Sequence, residues 1–396
     1  VFFYLIACLP LFVAAGFWFL SNKVVIVEAL ILAALGFVVA GIFHVTAIYG
    51  MTDDKETWSG QVYKTTKYAR WLEEYDKEIY RMERYTETEH YTDSKGKSQT
   101  RQVTRYREVF DHLETRTRWH EEHYDCSDSL NRTVPIGKGR HEDIVTKFGQ
   151  LVPVPGYRSN SGFRERNHHM IGGDPNDYNS VNKNNYVYPV TKIKSFENRV
   201  KAAPSVFSYS EVPEATKKLL FEYPENSNMF NSDRIVGGSS FNKVLWDQLN
   251  SRLGPTKKVN LIAVNFGKLL DPSLATWLES YWIGGKKNDL VICFGGVANN
   301  KPSWVKVFGW TEQELVKRNL ETLLLDNGIK DDTILLIEKE VVANYKIKDW
   351  HKFDYLTIPI PSSYFLICFL MELLIIGIWI PIVIKNEVNK GIKAWK

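Results

Sequence analysis

Residues 1–20, VFFYLIACLPLFVAAGFWFL, contain no charged side chain, and after Ser21-Asn22-Lys23 a second apolar run extends from Val24 to about Ile48. A third run, YFLICFLMELLIIGIWIPIVI, covers 364–384. About 20 apolar residues suffice to cross the hydrocarbon core of a bilayer, and the third run would make roughly 31 Å of helix at ~1.5 Å per residue. These runs predict three transmembrane helices and a fold organised around lipid. The first run has no basic leading region and no small-residue cleavage pattern before Ser21, so it reads as a retained helix rather than a signal peptide.

Basic residues set the expected orientation. The tail after the third run carries Lys385, Lys390, Lys393 and Lys396 against one acid, Glu387, and the turn between the first two runs carries Lys23. Lysine-rich flanks stay in the cytoplasm, which places residues 51–361 on the extracytoplasmic side, whether periplasm, lumen or exterior. Within the second run Ala29, Ala33, Gly36 and Ala40 recur at helical spacing. They form a smooth stripe for helix packing, or merely reflect the abundance of Ala and Gly in such helices. Glu28, near the cytoplasmic end, has Lys23 or the headgroups within reach. Glu372 lies deep in the third run, where a carboxyl must be protonated, paired or turned toward protein, so it predicts a helix neighbour. The expected partners are the lipid bilayer and a second copy of the chain or other membrane proteins.

Composition removes several function classes. Lys and Arg number 50 against 46 Asp and Glu, interspersed along 396 residues, so no basic stripe for nucleic acid exists. Cys8 and Cys368 fall in apolar runs and Cys293 in LVICF (290–294), so Cys126 has no evident partner and no disulfide framework is implied. No nucleophile motif, phosphate loop or dinucleotide fingerprint is present.

From Trp58 to Tyr124 the chain is rich in Thr, Tyr, Trp and Val, with turn residues at 93–97. The pattern predicts a strand over 58–66, a short helix around Tyr68–Tyr80 and a long β-hairpin. A three-residue loop Ser94-Lys95-Gly96 would place Glu89 opposite Arg101, Tyr85 opposite Arg105 and Glu83 opposite Arg107; a two-residue loop would set Glu83 against Glu108 and Arg84 against Arg107. Charge favours the first register. The octet WHEEHYDC (119–126) invites a metal reading, but the alternation leading into it has period two, and on a strand His120 and His123 point to opposite faces. His120, Glu122 and Cys126 remain as a same-face candidate metal set, with a solvated strand end as the preferred reading. The loop from Asn167 to Asp177, with His168 and His169, lacks the oxygen-ligand spacing of a calcium loop. Residues 150–235 read as connecting strands and loops continuing the first domain.

After Gly238 the pattern changes. Ser239 or Ser240 would cap a helix running to about Arg252, closed by Gly254-Pro255. A strand (258–266), a helix (Asp271–Tyr281), the loop 284–289, strands at 290–294 and 304–308 and helices of about 311–325 and 331–349 follow, in the order αβαββαα. That order, with YWIGGKKNDLVICF (281–294), WVKVFGWTEQEL (304–315) and an apolar run after the last helix, resembles the TPM-domain family of thylakoid-lumen phosphatase-like proteins and bacterial membrane-anchored relatives, over about 239–350. Trp282, Gly284, Asp289 and Gly309 match its pattern. The resemblance implies a small sheet with helices on both faces, and acid phosphatase activity in some members through strand-tip carboxylates that hold a divalent cation, here Asp289. Physically, Asp289 alone provides too few oxygens for a hard cation, whereas Lys286, Lys287 and the glycine backbone form a candidate anion-binding set. The whole chain is also similar to predicted membrane proteins of bacteria and large tailed phages.

The expected organisation is an α+β membrane protein: a two-helix transmembrane hairpin (1–50), a β-rich antiparallel ectodomain with a long hairpin (51–236), a small TPM-like α/β sandwich domain (237–350), a linker (351–363), a transmembrane helix (364–385) and a basic cytoplasmic tail (386–396). The expected function is a membrane-anchored, extracytoplasmic scaffold or assembly subunit without cofactor. The alternatives are a TPM-like metal-dependent phosphatase using a divalent cation, and an ion-conducting or transport-related oligomer.

Overall fold

The computed structural model describes residues 2–21, 26–92, 97–156, 162–203, 206–207, 212–226, 228–230, 233–238 and 241–394; for 2–4, 17–21, 26–29, 383–384 and 386–394 it describes the backbone alone. The chain runs α1 (Phe2–Ala7), α2 (Leu9–Ser21), α3 (Ile26–Thr52), β1 (Asp53–Tyr68), β2 (Trp71–Thr92), β3 (Ser98–His120), β4 (His123–Asp128), β5 (Thr133–Ile136), α4 (Lys138–Phe148), β6 (Gly149–Pro155), β7 (Glu165–Gly173), β8 (Asn176–Asn182) and β9 (Pro189–Glu197). It continues with α5 (Arg199–Ala202), α6 (Glu214–Lys217), β10 (Ile235–Gly237), α7 (Lys243–Lys257), β11 (Asn260–Asn265), α8 (Ser273–Tyr281), β12 (Asp289–Gly295), β13 (Trp304–Gly309), α9 (Leu315–Asn327), α10 (Asp331–Asn344) and α11 (Ser362–Ala394). Two compact units result, one of residues 1–59 and 191–396, the other of 60–190. The expected domain 51–236 is therefore divided, its flanks belonging with the C-terminal sheet. The Lys23 turn, Ser94-Lys95-Gly96, Ser239, Ser240 and Lys396 lie outside the described residues, as do the side chains of Glu28, Ala29, Lys390 and Lys393.

Among the described residues, two helices of the first unit, rather than three, are long and apolar enough to cross a membrane, Leu30–Thr52 and Ser362–Ile382. The first apolar run is broken at Cys8, whose N–H bonds the Leu5 carbonyl at 3.3 Å. Pro10 explains the break, since it cannot donate to the carbonyl four residues back and its ring crowds that turn. Ala33, Gly36 and Ala40 lie on the buried side of α3, while Leu30, Ile31, Phe37 and Val38 are exposed on its other sides, as a lipid-facing surface requires.

The same unit carries a four-stranded sheet in the order β10-β11-β12-β13, parallel except for antiparallel β13. Helices cover both faces. Leu261 and Ala263 of β11 face a cluster with Trp246, Leu249, Leu320 and Ile337 from α7, α9 and α10. Ile262 and Val264 face Leu274 and Leu278 of α8. This period-two alternation with both faces covered is why the strand is apolar throughout its centre. The element order from α7 to α10 is the expected αβαββαα, preceded by β10. Asn242, not a serine, caps α7, its side chain accepting from the N–H groups of Val244 and Leu245.

In the second unit, strands β5-β4-β1-β8-β6 pair in that order, and α4 buries Ile144 and Phe148. A separate sheet has the order β3-β2-β7. The hairpin register is the charge-favoured one: Glu89 faces Arg101, Tyr85 faces Arg105 and Glu83 faces Arg107. The helix expected at Tyr68–Tyr80 is absent, and Trp71–Tyr80 opens β2 instead. Its helix-forming composition is overridden by pairing on both sides, with β3 and with β7, where Trp71 lies opposite Gly173. Gly173 has φ +95, and a Cβ there would lie 2.5 Å from the Arg70 carbonyl oxygen.

Candidate functional site

The residues the sequence singled out fall into two separate groups. In the first unit, Gly284 and Gly285, both at positive φ, turn the chain into Asp289 at the start of β12. Asp289 is completely buried. Its carboxylate accepts from Asn260 Nδ2 (2.8 Å), Tyr223 Oη (2.9 Å) and the Lys286 N–H (2.7 Å). Burial pushes this carboxyl up to about 6, against the downward pull of those donors. Oδ1 accepts one of these bonds and Oδ2 the other two, so donors of the chain itself take most of the acceptor positions of this carboxylate.

The two lysines are engaged as well. Lys286 pairs with Asp54, and Lys287 Nζ lies 3.0 Å from Glu56. Directly after them, Asn288 Nδ2 donates to the Thr57 carbonyl at 2.7 Å. Asn198 completes the set, donating to Asp54 at 2.7 Å. The loop that the resemblance marks as a strand-tip site therefore grips the start of β1, the segment that leaves α3. Arg234, also buried, donates through Nε to Asn260 while Nη1 and Nη2 have no hydrogen-bond partner among the described residues, and burial draws its guanidinium down to about 10.

In the second unit, His120, Glu122 and Cys126 do not converge. His120 stacks on Trp71 at 4.2 Å and lies 2.7 Å from Glu73 Oε2. Glu122 pairs with Lys67 at 2.7 Å. Cys126 is buried in β4 opposite Thr65, and burial, then the Asp128 charge, push its thiol up to about 12. No group of three or more His, Cys, Asp and Glu among the described residues is arranged to hold a metal ion. The residue that sequence reasoning missed is Glu73, because its segment was read as helix. It is fully buried and receives Arg118 (2.6 Å), His120 and His168 (2.7 Å) on one carboxylate. Burial pushes it up, but those three donors outweigh burial and hold it at about 2.

These two carboxyls act on stability in opposite directions. Glu73, depressed in the fold, contributes stability above about 4.5 that is lost as pH falls toward 2. Asp289, raised from 3.8 to about 6, favours the fold below its unfolded value and loses that contribution as pH rises through about 6. Denaturation midpoints of the full chain in detergent are expected to rise on acidification from neutrality through this upper window and to fall at the acid end. Asp289→Asn flattens the first slope and Glu73→Gln the second.

The third feature is the hairpin. Strand β7 covers β2 only as far as Lys77, opposite Glu165. From Ile79 to Thr92 the hairpin is a two-stranded ribbon, roughly 50 Å long at ~3.4 Å per residue. Asp111 is an extra residue opposite the Ile79/Tyr80 step, a bulge at the ribbon's base. One face is ionic, with Glu83–Arg107 at 2.8 Å, Glu87–Arg105 at 2.9 Å and Glu89–Arg101 at 3.0 Å. The other presents Met82, Thr86, Thr104, Tyr106 and Phe110 together with two charged residues, Arg84 and Glu108. Met82 and Tyr106 are each 62% exposed.

Comparison of the chain with protein-family models, with curated proteins and with solved structures returns no match.

Proposed function

We propose that this protein is a membrane-anchored, non-catalytic scaffold that engages partners through the β2–β3 ribbon, with residues 51–361 extracytoplasmic and the basic tail in the cytoplasm. The ribbon carries the reading. An isolated two-stranded hairpin is marginal in water, and exposed ion pairs add at most about 1 kcal/mol each. A ribbon of this length, with no core of its own and Met82, Tyr106 and Phe110 exposed on the face opposite its row of ion pairs, gains its stability by covering that face with another protein. The non-catalytic part of the proposal rests on Asp289 and the two lysines, whose polar atoms are committed to partners within the chain.

The test is a shortened ribbon. Replacing residues 84–106 with a two-residue turn keeps every pair from Trp71–His120 to Glu83–Arg107. The full chain so altered, purified in mild detergent, is expected to unfold at the wild-type denaturant concentration and to lose the higher-mass species seen by crosslinking and native mass measurement. Complexes of unchanged mass would rule the ribbon out as the assembly surface.

A further inference from the structure

We propose that Glu372 is an intramembrane proton-binding site, held as a neutral carboxylic acid between α1, α3 and α11 and given room by Gly36. Glu372 lies midway along the apolar stretch Ser362–Ile382 and is fully buried, yet among the described residues neither carboxyl oxygen has a hydrogen-bond partner. Its surroundings are apolar or uncharged. A Cβ at Gly36 would lie 3.0 Å from the Ala7 carbonyl oxygen, 3.0 Å from Pro10 Cγ and 3.1 Å from Glu372 Oε2, so these three atoms border the space that glycine leaves empty. Cys368, one turn earlier on α11, is buried beside it, and Ala7 and Ala40 line the same small core. Among the described residues no cation faces the carboxyl from any of these helices.

An ionised carboxylate in such a place is an uncompensated buried charge, which costs several kcal/mol even after relaxation. A bound proton removes that charge and supplies a donor. The acceptor bordering the same space is the Ala7 carbonyl, at the point where Pro10 interrupts the first apolar run. Loss of the proton would place a charge against that break, so proton binding and the packing of α1 on α3 are linked. This inference is independent of the ribbon and of the orientation of the chain.

Infrared spectroscopy of the full chain in detergent or lipid reads the site directly. At neutral pH the wild type should show a protonated-carboxyl C=O stretch that is lost in Glu372→Gln, a variant expected to keep the wild-type unfolding midpoint because its amide is neutral and can donate. A hydrophobic carbodiimide gives a second readout. The carboxyl O–H adds across one C=N bond, oxygen to the central carbon and proton to nitrogen, and acyl transfer yields a stable N-acylurea with no atom lost. Peptide mapping should find that adduct at Glu372 and none after treatment with a water-soluble carbodiimide. The proposal is overturned if no protonated band disappears in Glu372→Gln, and equally if sodium or lithium ions abolish the band, since the ligand would then be a metal cation.

Discussion

Asp289→Ala is expected to lower the unfolding free energy of the first unit by about 3–5 kcal/mol, the range for removing one partner from a buried charged network. The substitution strands three donors at once: the Tyr223 hydroxyl, the Asn260 amide and the Lys286 N–H. It also removes a negative charge that acts on the buried Arg234, after that of Asp247. Because Lys286 N–H closes the loop on Asp289, the lysine pairs to Asp54 and Glu56 should loosen with it. Denaturant unfolding of the full chain in detergent measures the loss, and limited proteolysis should report new cleavage at the start of β1. A change under about 1 kcal/mol would mean that this carboxylate is not the structural anchor described above.

Gly254→Ala is expected to be nearly as damaging, although it improves helix propensity by about 1 kcal/mol. A Cβ at this position in α7 would stand 1.7 Å from the Ser59 carbonyl oxygen and 2.7 Å from its carbon. Backbone, not a flexible side chain, is the obstacle, so either α7 or the β1 segment must move. Overpacking of this kind costs typically 1–3 kcal/mol, and more where two main chains meet. The variant should therefore unfold at clearly lower denaturant than wild type, while Gly16→Ala, at a glycine with open space around it, should not. Equal midpoints for the two variants would contradict the close approach.

Gly254 also illustrates where sequence reading stops. Gly254-Pro255 is a normal helix stop signal, yet α7 continues to Lys257, with Pro255 in its last turn. The glycine is required by a strand almost two hundred residues earlier, and no local pattern encodes that distance. The same holds for Glu73. In Trp71–Tyr80, local composition and helical spacing favour a helix, whereas flanking strands β3 and β7 supply the pairing that makes a strand. By contrast, the ribbon register was legible because it depends on charges directly opposite one another, which a single loop length sets. The alternation that grouped His120, Glu122 and Cys126 on one face is interrupted where β3 ends at His120, and Cys126 belongs to β4 in the other sheet, so each finds a different partner on a neighbouring strand.

By itself the sequence determined two of the three expected long apolar helices, the alternation of sheet and helix after Gly238 and the pairing of the long hairpin, since each depends on periodicity, composition or charge within a short stretch. The tertiary structure alone decided that Asp289 and its lysines hold the start of β1 and that Glu372 meets Gly36 and Ala7. These are contacts between segments far apart in the chain, selected by which buried polar groups find partners and which surfaces leave room for one another.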